Sequence, residues 1–230
     1  MRKEAGKKLV IAIDGPAGAG KSTLAARLAK KLGYANIESG AMYRALALKA
    51  LASGVSLEDE AALVRLAEQS SIDLRPDGQS NRVLLDGRDV SQRIREQDVT
   101  QAASRLSVHP RVREWMVARQ REMGAQGGII MEGRYIGTKV FPDAEVKIFL
   151  DAAPEVRGDR RFRQKPTLPP DSVIAELRER DRRDRTRAAS PLLPAPDAVI
   201  IDSTNMTIEQ VIKRAEAIIA ARQKETAATD

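Results

Sequence analysis

The first patterned stretch of the chain is an apolar run, Leu9-Val10-Ile11-Ala12-Ile13, whose β-branched character predicts a strand. Beyond a glycine-rich turn, Leu24, Leu28 and Leu32 recur at helical spacing, and Gly33 stands where a helix C-cap belongs. Ala35-Asn36-Ile37 reads as a second short strand, ending at Glu38-Ser39-Gly40. The next helix presents Met42, Ala45, Leu46 and Ala50 as an apolar face and closes at Ser53-Gly54. Ser56-Leu57-Glu58-Asp59 has the form of a capping box and is expected to open a helix through Leu63 and Leu66.

The pattern then changes period. Ile72-Asp73-Leu74 and Val83-Leu84-Leu85 are strand-like runs separated by the turn signal Pro76-Asp77-Gly78, with a second turn at Asp86-Gly87. Helical spacing resumes near Val99, breaks near Pro110 and continues through Val112, Met116 and Arg119 to Gly124. Three further strands follow, Gly128–Met131, Val146–Leu150 and Ala198–Ile201, and their continuous apolar character predicts a parallel sheet covered on both faces. Between the last two lies an arginine-rich segment containing Lys165-Pro166-Thr167-Leu168-Pro169-Pro170, too rich in proline for regular structure. Thr207 can cap a last helix through Val211 and Ile218, with fraying expected from Glu225. The expected fold is α/β: a doubly wound, five-stranded parallel sheet with two insertions, one of them a small antiparallel β element.

Composition narrows the classes. A chain of 230 residues, 42% hydrophobic and 31% charged, suits one α/β core with small inserted subdomains. It contains no cysteine, which excludes disulfides, thiolate metal sites and cysteine nucleophiles. The basic start, Met1 to Lys8, is followed by an apolar stretch that Asp14 ends too soon for a signal peptide, and no run approaches a membrane span. A cytoplasmic protein is expected. The net charge of +7 is concentrated: residues 157–187 hold eleven Lys/Arg against six Asp/Glu. That excess could form a nucleic-acid patch or a cluster built to hold phosphate oxygens. An aromatic content of 3% leaves few stacking platforms for single strands, which disfavours the former.

The candidate chemistry begins at Gly15-Pro16-Ala17-Gly18-Ala19-Gly20-Lys21-Ser22-Thr23, which fits G-x-x-x-x-G-K-[ST]. Glycines allow a phosphate chain close to the backbone, whose successive N–H groups form an anion nest continued by a helix N-terminus. Lys21 would reach the β/γ-phosphates and Ser22 would offer its hydroxyl to Mg²⁺. Ligands of open parallel sheets bind beyond the strand carboxyl ends, so Asp14, Ser39, Glu132-Gly133-Arg134, Asp151 and Asp202 are informative positions. Glu132 could orient Mg²⁺ through its water shell, or could cap a neighbouring backbone group. Ser39, Tyr43 and Arg44 share one end of a helix and suit a second phosphate group, although ordinary packing would accommodate the same residues. Arg180, Asp184 and Arg187 align along one helical face, with Arg160 and Arg161 on the preceding helix. Such a hairpin could bring guanidinium groups to a triphosphate; the alternative is a solvated helix laced with pairs such as Asp181–Arg185. His109 and Trp115 are expected to be packing residues, Trp115 as a core anchor.

Several of these motifs, in this order, resemble the bacterial cytidylate kinases. The resemblance is carried by Ile13 to Thr23, by Glu38-Ser39-Gly40-Ala41-Met42-Tyr43-Arg44, by Gly133-Arg134-Tyr135-Ile136-Gly137-Thr138 with Val140-Phe141-Pro142-Asp143-Ala144, and by Arg180-Asp181-Arg182-Arg183-Asp184-Arg185. It spans about Val10 to Ile212. The resemblance implies transfer of the ATP γ-phosphoryl group to CMP or dCMP with Mg²⁺. It implies a core domain (9–38, 111–156 and 188–224), a nucleoside-monophosphate-binding insertion (39–110) and a lid (157–187). It places residues 15–23 on ATP, with Lys21, Arg134, Arg160 and Arg187 acting on the transferred phosphoryl. Ser39, Tyr43 and Arg44 would surround the acceptor phosphate, and Ser104 and Arg113 would read the cytosine edge. Arg134, Arg180 and Arg187 would hold phosphates, Asp184 would bind the sugar hydroxyls, and Ser22 with Glu132 (through water) would serve the metal. The implied partners are small molecules only, with no stable nucleic-acid partner, no membrane, and a monomeric chain.

One position departs from that family's pattern. An aspartate follows the arginine of Gly-Arg-Asp there and helps to recognise cytosine; this chain has Tyr135. A carboxylate accepts from the cytosine N4 amino group, whereas a neutral phenol can donate as well as accept and tolerates the O4 of uracil. Weaker discrimination of CMP over UMP is therefore expected. A related phosphate-loop kinase with relaxed pyrimidine specificity, or with another small acceptor, is the alternative reading.

Overall fold

The computed structural model describes residues 8–77, 80–164 and 170–227. The expectations for Met1 to Lys7, for Gly78 in its turn and for Lys165 to Pro169 lie outside the described residues. The chain divides into two compact units, Met1–Ala35 with Gln126–Asp230, and Asn36–Ala125.

In chain order, the first unit begins with β1 (Val10–Asp14) and α1 (Lys21–Leu32), and β2 (Ala35–Glu38) starts where the chain leaves it. The second unit carries α2 (Ser39–Ala52), α3 (Glu60–Glu68), β3 (Ile72–Asp77), β4 (Ser80–Leu85), β5 (Arg88–Asp89), α4 (Gln97–Leu106) and α5 (Pro110–Gly124). The first unit resumes with β6 (Ile129–Gly133), β7 (Val146–Asp151), α6 (Pro154–Gln164), α7 (Pro170–Thr186), β8 (Val199–Asp202) and α8 (Ile208–Ala227).

The large sheet has five strands in the order β2-β6-β1-β7-β8. β1 pairs in parallel with β6 on one side and β7 on the other, and the register sets Asp14 opposite Gly133 and Phe149. The strand order therefore reverses at β1, the topological switch point where open α/β sheets bind their ligands. One sheet face is sealed by Leu24, Leu28, Val211, Ala215 and Ile219 of α1 and α8 against Ile11, Ile13, Ile130, Ile148, Leu150 and Ile201. α1 ends at Gly33, whose φ of 67° lies in the left-handed region and lets Tyr34 N–H reach back to the Ala29 carbonyl. Thr207 and Gln210 cap α8 reciprocally, and the helix runs past the expected fraying point at Glu225 to Ala227.

β8 corrects one expectation. Its apolar run predicted cover on both faces, yet Ile200 is 61% exposed: at this edge strand, the face that carries Ile200 is left open to solvent among the described residues.

In the second unit α2 is the central helix: Ala41, Met42, Tyr43, Ala45, Leu46, Ala47 and Ala50 are all buried, with α4 packed against it. The small residues at these positions let neighbouring helices approach closely. The helix expected from Ser56 starts later, at Glu60, because Asp59 is the residue that caps it, accepting from Ala62 N–H at 2.9 Å. The Ser56 hydroxyl is engaged locally with Glu58. β3, β4 and β5 form the expected antiparallel three-stranded sheet. Trp115 is only half-buried, since α5 turns Val112, Arg113, Met116 and Gln120 inward instead. His109 precedes α5 and is hydrogen-bonded through Nε2 to the Leu57 carbonyl at 2.7 Å, a structural role.

Candidate active site

The phosphate loop connects β1 to α1, and each of its glycines answers a different constraint. At Gly15 (φ 148°) a Cβ would collide with the Leu150 carbonyl of β7. At Gly18 (φ 78°) it would lie 3.1 Å from the Arg157 Cβ of α6. Only at Gly20 (φ 99°) does the space remain open, with nothing within 4 Å. Two of the three glycines thus admit neighbouring protein rather than a ligand, and all three hold backbone angles that side chains disfavour. Lys21, buried at the first turn of α1, donates from Nζ to the Pro16 carbonyl at 2.7 Å, so it folds back over the loop. Burial, together with the positive charges of Arg134 and Arg180, pushes its ammonium down to about 7, against the pull of Glu132 and Asp14.

At the end of β1, Asp14 turns its carboxylate onto the segment that follows β6. Its two oxygens accept from the backbone N–H groups of Ile136 and Gly137, each at 2.8 Å. These residues open a single helical turn, Ile136–Val140, closed by Phe141 N–H on the Ile136 carbonyl at 2.7 Å. Burial pushes the Asp14 carboxyl up to about 6, opposed by these hydrogen bonds and by the charges of Lys21 and Arg134. Glu132, also buried, accepts from the Ser22 hydroxyl at 2.7 Å. A hydroxyl and a carboxylate held together on phosphate-loop and strand-end positions form an oxygen-only donor pair, the kind a hard divalent cation takes alongside phosphate oxygens.

The arginines gather around one acid. Asp184 of α7 accepts from Arg134 Nε at 3.1 Å on one oxygen and from Arg187 Nη1 at 2.9 Å on the other. Burial opposes ionisation of Asp184, but the charges of Arg134, Arg180 and Arg187 and the Arg134 hydrogen bond outweigh it, holding the carboxyl below the usual range. Arg187 is fixed from two further sides: Nε donates to the Ser190 carbonyl at 2.8 Å, and the guanidinium lies 5.9 Å from the centre of the buried Tyr135 ring. Arg160 of α6 donates to the Ala19 carbonyl of the loop and to Ser203, by its hydroxyl at 3.1 Å and its carbonyl at 2.8 Å. The expected surface pair Asp181–Arg185 is not the contact found. Asp181 is buried and pairs with Arg157 at 2.6 Å, while Arg185 lies 3.6 Å from Asp151, because Asp181 faces α6 rather than solvent.

The remaining expected residues belong to the second unit. Ser39 and Tyr43 are buried on α2, and Arg44 pairs with Glu38. Buried Arg113 of α5 stacks its guanidinium 5.7 Å from the Tyr43 ring centre and donates from Nε to the Ser107 carbonyl at 2.6 Å. Ser104 is half-buried on α4, its carbonyl accepting from the Ser107 hydroxyl at 3.0 Å. This unit therefore brings Tyr43 and Arg113 into contact and sets Arg44 against an acid.

Two residues without a sequence-derived role are central to the arrangement. Asp14 was recognisable as a strand-end acid, but its partners are backbone groups more than a hundred residues away. Arg157 carried only the generic signal of a basic residue in an arginine-rich segment.

Comparison with known proteins accords with this architecture. A family model described as cytidylate kinase matches residues 11–221. Cytidylate kinases of Pelotomaculum thermopropionicum and Geobacillus kaustophilus are 50% and 48% identical to the chain, over 94% of it and over 97% and 98% of their own lengths. That of Vibrio cholerae is 48% identical over 90% of the chain and 93% of its own length. A solved gluconokinase structure from Sinorhizobium meliloti 1021 superposes with a TM-score of 0.52 at 15% identity, over 97% of this chain and 98% of that one, a likeness of fold alone. With a family match over nearly its whole length, on a fold that sets a phosphate loop among paired arginines, the chain belongs to the cytidylate kinase family.

Proposed function

We propose that this chain transfers the γ-phosphoryl group of ATP to CMP or dCMP, giving ADP and CDP or dCDP, with Mg²⁺. The observation that carries the reading is the phosphate loop with Lys21 within the field of Arg134 and Arg180, in a chain half identical to cytidylate kinases. Phosphoryl transfer is mainly positioning and charge stabilisation, and a buried lysine with partly buried arginines around it supplies both. In this reading the loop residues 15–23 hold the ATP phosphates. Lys21, Arg134, Arg180 and Arg187 meet the charge that spreads over the transferred group, and Arg160 adds positive charge beside the Ala19 carbonyl. Asp184 keeps two of these arginines aimed, and its carboxylate is the group offered to the acceptor sugar.

Ser22 and Glu132 would hold Mg²⁺, Glu132 through water. The oxygen-only donor pair fits that ion, which usually takes one or two protein oxygens and completes its shell with phosphates and water. When bound, it neutralises charge on the phosphate oxygens. In the second unit Ser39, Tyr43 and Arg44 receive the acceptor phosphate, while Ser104 and Arg113 read the base. Residues 39–110 then serve as the acceptor-binding insertion and 157–187 as the lid. No described helix is long and apolar enough to cross a membrane, and we propose a monomeric enzyme acting on small molecules in the cytoplasm.

A second reading, relaxed selection among pyrimidines, is favoured by Tyr135. Its buried, neutral ring stands where a carboxylate would reject uracil. A steady-state ADP-release assay with Mg-ATP and CMP, dCMP, UMP or AMP tests both. Turnover with CMP and dCMP alone supports the first reading and comparable UMP turnover the second; no turnover with any of the four would sink both.

A further inference from the structure

Arg157 has no surface role: it is 3% exposed, and all three of its guanidinium nitrogens are engaged. Nε donates to the Ala152 carbonyl at 2.8 Å, Nη1 to the Ala17 carbonyl of the phosphate loop at 3.0 Å, and Nη2 meets Asp181 of α7 at 2.6 Å. Ala17 is also gripped by its side chain, which packs with Val173 and Leu177 of α7. A Cβ at Gly18 would lie 3.1 Å from the Arg157 Cβ and 3.2 Å from its carbonyl oxygen, a tight fit at a backbone angle (φ 78°) that already favours glycine.

In a trans peptide the C=O and the following N–H point in opposite directions. Holding the Ala17 carbonyl on Arg157 therefore turns the Gly18 N–H away from the Arg157 guanidinium. An anion nest binds only when successive N–H groups converge, and one peptide flipped by rotation would replace a donor with a carbonyl oxygen. From this network we infer that Arg157 is a positioning residue for the triphosphate. Oriented by Asp181, it pins the Ala17–Gly18 peptide so that the Gly18 N–H is aimed at phosphate. It makes the docking of α7 a condition of tight phosphate binding. The inference rests on the reading of residues 15–23 as a triphosphate site, and extends it to two residues that touch no substrate.

The test separates phosphate binding from binding of the adenine base by using inorganic tripolyphosphate as a probe beside ATP. A buried ion pair that loses one partner is often destabilised, whereas replacement of both by apolar side chains of similar size is commonly tolerated. The variants are therefore Arg157→Lys, Asp181→Asn and the double change Arg157→Met with Asp181→Leu. Tripolyphosphate dissociation constants come from calorimetry, KM for ATP and for CMP from steady-state rates, and Tm from thermal unfolding. We expect Arg157→Lys and the double variant to raise the tripolyphosphate dissociation constant and the ATP KM together, by about tenfold, the loss of one hydrogen bond from a charged donor. Asp181→Asn should do so by less, and the CMP KM at saturating ATP should stay within about twofold, below the size of one such bond.

An ATP KM that rises while tripolyphosphate binding is unchanged would overturn the inference, placing Arg157 on the base. A fall in Tm with both affinities intact would overturn it as well, leaving a purely structural pair. Tripolyphosphate binding by the unmutated enzyme without any CMP turnover would refute the kinase reading while the variants still decide the role of Arg157. No tripolyphosphate binding by the unmutated enzyme would overturn the inference and the phosphate-site reading alike.

Discussion

Asp14 is the clearest place to test the electrostatics of this site. Its carboxyl titrates at about 6 in the folded chain against 3.8 in the reference state, because burial penalises its charge more than two backbone hydrogen bonds recover. A folded pKa raised in this way contributes stability that is fully present below the unfolded value and is lost as pH rises through the folded one. The shift of about two units corresponds to about 3 kcal/mol. Between about pH 4.5 and about pH 7, where the chain can be studied, about 2 kcal/mol of this should be lost. Asp14→Asn abolishes the titration. It also leaves one of the Ile136 and Gly137 N–H groups facing an amide NH₂, a pH-independent penalty of about 1–3 kcal/mol. Removing the Asp14 charge further lowers Lys21, so the variant gains stability with rising pH and the two effects share one sign. Urea unfolding of both proteins across that range should show the wild-type advantage shrinking by about 2 kcal/mol or more toward neutral pH. A gap that stayed constant, or widened with pH, would refute the assignment of Asp14 as a buried, destabilised carboxylate.

Three further outcomes are expected. Tyr135→Asp should raise the CMP:UMP ratio of kcat/KM by about 5- to 150-fold, the value of one good base contact; an unchanged ratio would mean that residue 135 does not face the base. Because burial and neighbouring cations hold Lys21 near neutrality, binding of ATP at about pH 8 should take up most of one proton. Calorimetry in buffers of different ionisation enthalpy would measure this, and binding without proton uptake would contradict it. Asp184→Asn removes the charge that aims Arg134 and Arg187 and should lower kcat about tenfold or more, read by steady-state ADP release; an unchanged kcat would show that neither arginine depends on it.

Periodicity alone indicates the strands β1, β6 and β7, the helix behind the phosphate loop and its glycine cap. The reason is physical: each is a local pattern of apolar spacing or a backbone angle that one residue type supplies. The loop motif is equally local, since its chemistry lies in consecutive N–H groups and the side chains of Lys21 and Ser22. Sequence reading failed where the partner is remote. Ile200 has the same apolar character as Ile148, yet it is exposed, since cover of a sheet face is supplied by elements remote in the chain and is lacking over Ile200 among the described residues. Ser56 has the letters of a cap, but Asp59 makes the bond, a choice set by which residue meets the first free N–H.

The same division runs through the site. Arg180, Asp184 and Arg187 were legible as one face of a helix. That Asp184 divides its two oxygens between Arg134 and Arg187 depends on the fold bringing the residue after β6 to the last turns of α7, fifty residues away in the chain. The need for glycine at Gly15 and Gly18 is set by Leu150 and Arg157, more than a hundred residues away in the chain. Local spacing determined that this protein has a phosphate loop on an α/β sheet and where its charges are concentrated. Tertiary structure decided which of those charges are buried, which are paired, and which hold the loop in shape. Burial, partner distance and desolvation are properties of atoms brought together by the fold, and no single stretch of sequence contains them.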